Sequence, residues 1–194
     1  PDVYWERMRL VSAAPALHLT HPGAKVAELA KEMHCTPPAL CVAALRAGSS
    51  MAMAAREGMC EENLKRILAL PWVCGGSDGR ALPPDGSLGG SHPRAYGALV
   101  RHLKLLLPEF GLGEAVRRLT SFPATIFNLA DRGRIAPGLA ADLVLFDPER
   151  LADRADFANP FLTAVGIDRV WVNGTLAWQE GKATGKRGGR VLKS

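Results

Sequence analysis

The sequence has no long apolar run and no recognisable leader. No stretch approaches the roughly 18 consecutive apolar residues that a membrane-spanning helix requires. The chain begins at Pro1, and no basic segment followed by an apolar one opens it, as a secretory signal would. Hydrophobic residues make up 47% of the chain, which is enough for a globular core. These features predict a cytoplasmic globular protein that has no membrane partner.

Potential metal ligands are sparse. The five histidines include no His-x-His pair. His18 and His21 lie in a proline-flanked segment with no third ligand near them in sequence, so we interpret them as solvated side chains. The four cysteines form no C-x-x-C pair and no spacing typical of a zinc site. They are predicted to be structural.

The excess of positive charge is confined to the end of the chain. Residues 181–194 contain five basic side chains and no acidic one, while the remainder carries 19 basic and 19 acidic side chains. A short basic tail without interleaved aromatic residues is not typical of a nucleic-acid-binding surface. We therefore predict no nucleic-acid partner.

One short motif presents an isolated carboxylate. Residues 72–79 read WVCGGSDG, in which a run with strand character breaks into glycines and ends at Asp78. In barrel enzymes, catalytic side chains collect at the C-terminal ends of strands. An aspartate after a strand is also ordinary turn chemistry, because its side chain bonds the nearby backbone. Local sequence alone leaves both interpretations open.

The spacing of apolar residues predicts helices and strands followed by a β region. The predicted helices span 24–33, 37–46, 60–69, 94–107, 112–120 and 123–129, the last capped by Ser121. The predicted strands span 49–54, 72–74, 141–146, 167–172 and 175–179. The first two strands flank one helix with short connections, which predicts a parallel β–α–β unit with a right-handed crossover. Asn173-Gly174 predicts a type I′ hairpin.

Several motifs together resemble a known family. Residues 133–147 read GRIAPGLAADLVLFD, which resembles the closing signature of the amidohydrolase superfamily. Other matching motifs are SDG at 77–79, HPR at 92–94, YG at 96–97, TSFPA at 120–124, DRA at 153–155 with Phe157, and VNG at 172–174. In this order and spacing they resemble the C-terminal portion of the N-acyl-D-amino-acid deacylase (D-aminoacylase) family, from about Met51 onward.

The resemblance implies an α/β fold in two parts. Residues 1–135 would be the C-terminal part of a (β/α)8 TIM-like metal-dependent hydrolase barrel, and residues 136–194 part of a small β-sandwich domain. The strands at 49–54 and 72–74 would then be the seventh and eighth barrel strands. A complete barrel typically needs roughly 250 residues, whereas the chain has 194. We therefore expect a missing N-terminal part of the same protein, carrying the His-x-His pair and other metal ligands.

The resemblance also implies roles for individual residues. Asp78 would ligate the metal, expected to be zinc, and take a proton from the attacking water. His92 and Arg94 are predicted to bind substrate, because arginine grips a carboxylate bidentately. The alternative is that Arg94 bonds loop carbonyls and His92 caps the next helix. Asp142 and Asp147 are predicted to fix turns at the domain junction.

The implied function is hydrolysis of the amide bond of N-acyl-D-amino acids, releasing a carboxylate and a D-amino acid. The expected partner is therefore a small-molecule N-acyl amino acid. One alternative is another cyclic or linear amidase of the same superfamily; the other is a non-catalytic degenerate paralogue or fragment without a metal site. A His-x-His segment upstream in the same reading frame would separate them. The chain alone is expected to be inactive, since a zinc site needs about three protein ligands.

Overall fold

The computed structural model describes residues 2–12, 23–47, 53–56, 58–87 and 91–192. The chain divides into two compact units. The first comprises Pro1–Glu61, Asp78–Tyr96 and Ala155–Leu162, and the second comprises Glu62–Ser77, Gly97–Arg154 and Thr163–Ser194. The predicted boundary at residue 135, between barrel and β domain, concerns the parent enzyme and stays a prediction.

The first unit contains a helix pair and a two-stranded ribbon. Its elements are α1 (Asp2–Glu6), β1 (Met8–Ser12), α2 (Val26–Glu32), α3 (Pro37–Arg46) and β2 (Met53–Arg56). Buried apolar residues of α2 and α3 form its core, namely Val26, Leu29, Ala30 and Leu40. Helix α3 begins as predicted, because Ala39 donates its backbone N–H to the Thr36 hydroxyl and a proline follows at the first helical position.

The ribbon corrects the predicted β–α–β unit. Strand β2 pairs antiparallel with β1, and no strand forms at 72–74 in the described part of the chain. Val73 donates its backbone N–H to the Leu70 carbonyl at 3.1 Å, and Gly75 donates to the Arg118 carbonyl at 3.3 Å. Both acceptors lie just after the ends of helices, and these hydrogen bonds take the place of a strand ladder. The predicted parallel pairing is wrong; residues 49–52 lie outside the described residues.

Three helices run through the second unit: α4 (Glu61–Ala69), α5 (Arg94–Arg117) and α6 (Ser121–Ile126). Their core contains Leu68, Leu103, Leu106, Ala115 and Leu151. Helix α5 merges the two helices predicted at 94–107 and 112–120 across a kink at Gly111, whose φ of 73° suits glycine. Thr120, and not the predicted Ser121, occupies the N-cap position of α6. None of the helices in the described ranges is long and apolar enough to span a membrane.

A four-stranded antiparallel sheet completes the second unit. Its strands β3 (Leu143–Phe146), β4 (Ile167–Val172), β5 (Thr175–Gln179) and β6 (Lys182–Ala183) lie in sequence order. Asn173 and Gly174 have φ values of 48° and 77°, as a type I′ turn requires. The predicted hairpin is therefore confirmed, and it belongs to this sheet.

The two aspartates of the 133–147 signature fix turns, as predicted. Asp142 accepts the backbone N–H of Asn173 at 2.7 Å and pairs with the buried Arg132. Arg132 also donates to the Asn173 side chain at 2.7 Å. Asp147 accepts the backbone N–H of Glu149 at 2.9 Å. Both carboxylates therefore accept hydrogen bonds from the backbone at turns.

The buried side chain of Arg118 caps the C-terminal end of helix α4. Its Nη1 donates to the carbonyls of Leu68 and Leu70, two of the acceptors that a helix C-terminus leaves without intrahelical partners. Its Nε donates to Glu114 at 2.8 Å, and its guanidinium lies 4.5 Å from the ring centroid of Phe110. This side chain therefore fixes the backbone that leads towards residues 72–79.

We predict that Arg118→Met lowers the free energy of unfolding by about 3 kcal/mol, because it leaves the buried Leu68 carbonyl without its side-chain donor and removes the buried partner of Glu114. The matched control is Arg117→Met, which removes a neighbouring partner of Glu114. The Arg117 side chain is 42% exposed, so this change should cost about 1 kcal/mol or less. Urea unfolding followed by circular dichroism measures both. Equal losses in the two variants would contradict the assignment.

Candidate active site

Asp78 sits in a left-handed backbone conformation, with a φ of 45°. Aspartate and asparagine adopt this region more readily than other residues that carry a Cβ. The Asp78 side chain is 86% exposed, so its carboxylate is open to solvent. The segment around it has no regular secondary structure. The predicted strand end is therefore an irregular segment, in which the carboxylate is open to solvent.

Arg94 brings the three predicted site residues together. Its Nη2 lies 2.9 Å from Oδ2 of Asp78, and its backbone N–H donates to Nδ1 of His92 at 3.1 Å. Arg94 is also the first residue of α5. His92 thus caps this helix, which is the role that the alternative interpretation gave it. The guanidinium of Arg94 pairs with the Asp78 carboxylate, and its role in substrate binding stays a prediction.

His92 lies in a partly apolar environment. Its ring meets Phe157 edge to face, with centroids 5.1 Å apart. Burial lowers the pKa of His92, the charge of Arg94 lowers it further, and the Asp78 carboxylate opposes both. Because Nδ1 accepts a hydrogen bond from Arg94, this nitrogen carries no proton. His92 is therefore a neutral imidazole with its proton on Nε2.

The three side chains line one cleft. Its other lining residues are Gly79, Arg80, Leu82, Ser91 and Ala95. The cleft has a volume of about 80 Å³, whereas small-molecule sites usually exceed roughly 300 Å³. The cleft is therefore smaller than a complete small-molecule site.

The described residues do not fit a zinc ion by themselves. Within residues 2–12, 23–47, 53–56, 58–87 and 91–192, no three His, Cys, Asp or Glu side chains are grouped to hold a metal. A zinc site needs about three protein ligands, and Asp78 is a single donor paired with Arg94. His18 and His21, interpreted above as solvated, lie outside the described residues.

The sequence did not assign roles to the residues that support this cleft. Tyr96 donates its hydroxyl to the carbonyls of Leu82 at 3.3 Å and Pro83 at 3.1 Å. Its ring lies 5.9 Å from that of Phe161. Tyr96 and Phe157 both occur in the motifs that carried the family resemblance, which was the available signal. Their partners are distant in sequence, so spacing could not identify them.

Comparison with known proteins identifies the relatives of this chain. A model described as "Amidohydrolase family" matches residues 9–177. The D-aminoacylase of Alcaligenes xylosoxydans xylosoxydans is 44% identical over 138 residues, which cover 69% of this chain and 27% of that protein. The chain therefore spans little more than a quarter of this curated relative.

Two solved structures match nearly the whole chain. A D-aminoacylase crystal structure superimposes with a TM-score of 0.78 and 36% identity, covering 97% of this chain and 38% of its own. The N-acyl-D-glutamate deacylase of Bordetella bronchiseptica was solved with zinc and a phosphonate mimic of the tetrahedral intermediate. It superimposes with a TM-score of 0.78 and 35% identity, covering 100% of this chain and 38% of its own. The predicted fold class, the C-terminal part of an amidohydrolase barrel with part of a small β-sandwich, is confirmed.

We predict that Asp78→Asn changes the free energy of unfolding by less than about 1 kcal/mol, because exposed ion pairs contribute little. Asparagine also tolerates the left-handed backbone at this position. Thermal and urea unfolding of the unaltered chain and of Asp78→Asn provide the measurement. A loss comparable to that expected for Arg118→Met would show that Asp78 has a structural role.

Proposed function

The chain belongs to the amidohydrolase family, and we propose that it is the C-terminal part of a zinc-dependent enzyme that hydrolyses the amide bond of N-acyl-D-amino acids. The products are a carboxylate and a D-amino acid. The observation that carries this proposal is the convergence of Asp78, His92 and Arg94 on one cleft. The similarity to D-aminoacylase supports the choice of substrate class.

Asp78 is the proton carrier in this proposal. Its carboxylate is exposed and held 2.9 Å from Arg94, so it has access to a ligand on the solvent side. A carboxylate so placed accepts a proton from the attacking water and passes it to the departing amine nitrogen. The other ligands of the zinc come from the rest of the parent enzyme, because the described residues offer too few.

Arg94 and His92 hold the substrate. N-acyl amino acids carry a free carboxylate, and a guanidinium has five N–H donors in a planar fork that matches it. The contact with Asp78 uses Nη2 of Arg94, so donors are available for a second carboxylate. His92 supplies its Nε2–H to a substrate oxygen. We place the enzyme in the cytoplasm, on the sequence features alone.

The proposal is tested in a chimeric enzyme in which this chain replaces the matching region of the Alcaligenes D-aminoacylase. With zinc, it should hydrolyse N-acetyl-D-methionine, and Asp78→Asn should lower kcat by about 100-fold or more. The isolated chain with zinc is the control and should show no turnover. Turnover by the isolated chain that Asp78→Asn abolishes, or a folded, zinc-loaded chimera without activity, would contradict the proposal.

We predict that Arg94→Gln in the chimera raises KM by about tenfold or more, because a charge-assisted contact with the substrate carboxylate is lost. Arg80→Gln is the matched control, since Arg80 lines the same cleft and the substitution removes the same charge. Its KM should change much less. Steady-state kinetics with N-acetyl-D-methionine gives both values, and equal effects would reduce the role of Arg94 to general electrostatics.

A further inference from the structure

The segment Ala155–Leu162 supports the residues that line the cleft. It is distant in sequence from Asp78–Tyr96, yet both belong to the first unit. Two of its side chains are aromatic, and each contacts a ring of the other segment. Phe157 meets His92 edge to face at 5.1 Å, and Phe161 meets Tyr96 at 5.9 Å.

The backbone of Phe157 is held firmly. A Cβ at Gly23 would lie 2.8 Å from the Phe157 carbonyl carbon, so only glycine fits there. Gly23 also has a φ of 84°, which favours glycine. Asp156 also accepts the backbone N–H of Asn159, three residues on, at 2.6 Å, and this hydrogen bond holds the chain around Phe157. The ring therefore has a defined position against His92.

The imidazole of His92 needs such support because its ring keeps nearly the same outline when it rotates by half a turn, which exchanges each nitrogen with a carbon. Rotation of the ring by half a turn, or transfer of its proton to Nδ1, would break the hydrogen bond from the Arg94 backbone N–H. Transfer of the proton would also leave Nε2 without an N–H to donate. The hydrogen bond from the Arg94 backbone N–H fixes Nδ1 of His92. Packing against Phe157 fixes the plane of the His92 ring.

We propose that Phe157 is a positioning residue, which holds the His92 imidazole in the single orientation and tautomer that presents an Nε2–H donor to the cleft. The substrate role of that donor rests on the proposed function, but the positioning itself does not. Phe161 has a separate task. It packs on Tyr96 and lies 3.5 Å from where a Cβ would stand at Gly86, so it supports the segment that contains Gly86.

Long-range proton–nitrogen NMR of the ¹⁵N-histidine-labelled chain tests the proposal, with His92→Gln used to assign the signals. In the unaltered chain, Nδ1 of His92 should resonate as an unprotonated nitrogen and Nε2 as a protonated one. Phe157→Ala should move both towards the average of two tautomers. Phe157→Tyr, which keeps the ring edge, should restore the original pattern.

Phe161→Ala is the matched control and should leave the His92 signals unchanged. Circular dichroism establishes that each variant keeps its helices; if Phe157→Ala does not fold, Phe157→Leu keeps the bulk without the ring and should give the same averaging. A single Nε2–H tautomer in folded Phe157→Ala or Phe157→Leu would overturn the proposal, as would the same shift in Phe161→Ala. Because this readout needs neither zinc nor substrate, an inactive chimera would leave its outcome intact.

Discussion

The structure depends on supplying hydrogen bonds to an irregular backbone. Residues 70–87 contain no strand or helix, so their polar groups must find partners elsewhere. The Leu70 carbonyl is satisfied by the buried Arg118, and the carbonyls of Leu82 and Pro83 by the Tyr96 hydroxyl. These side-chain donors take the place of the strand ladder that the segment lacks.

Stability and access to a ligand depend on different side chains. Arg118 and Arg132 are buried and donate hydrogen bonds to neighbouring acceptors, so their loss disrupts packing and hydrogen bonding together. Asp78 and Arg94 form an ion pair that solvent can reach. Such a pair adds little to folding, and it leaves a carboxylate and a guanidinium accessible to a ligand. Exposed charges at these two positions therefore cost the fold little.

Local signals predicted the elements that local chemistry determines. The cap at Thr36 with the prolines after it, and the positive φ values of Asn173-Gly174, are properties of neighbouring residues, and both were found. The strand at 72–74 was wrong because an apolar run becomes a strand only with a partner, and Trp72 is instead 68% exposed. The contact of Phe157 with His92 joins distant segments, so no periodicity could reveal it.

The central claim is that Asp78 is the carboxylate this chain contributes to a zinc-dependent deacylase. Crystals of the chimeric enzyme grown with zinc and a phosphonate analogue of the substrate would test it most directly, because anomalous scattering locates the metal. The account predicts zinc bound by an Asp78 oxygen and a ligand carboxylate on Arg94. Zinc ligated without Asp78, with the Asp78–Arg94 ion pair intact beside a bound analogue, would contradict it.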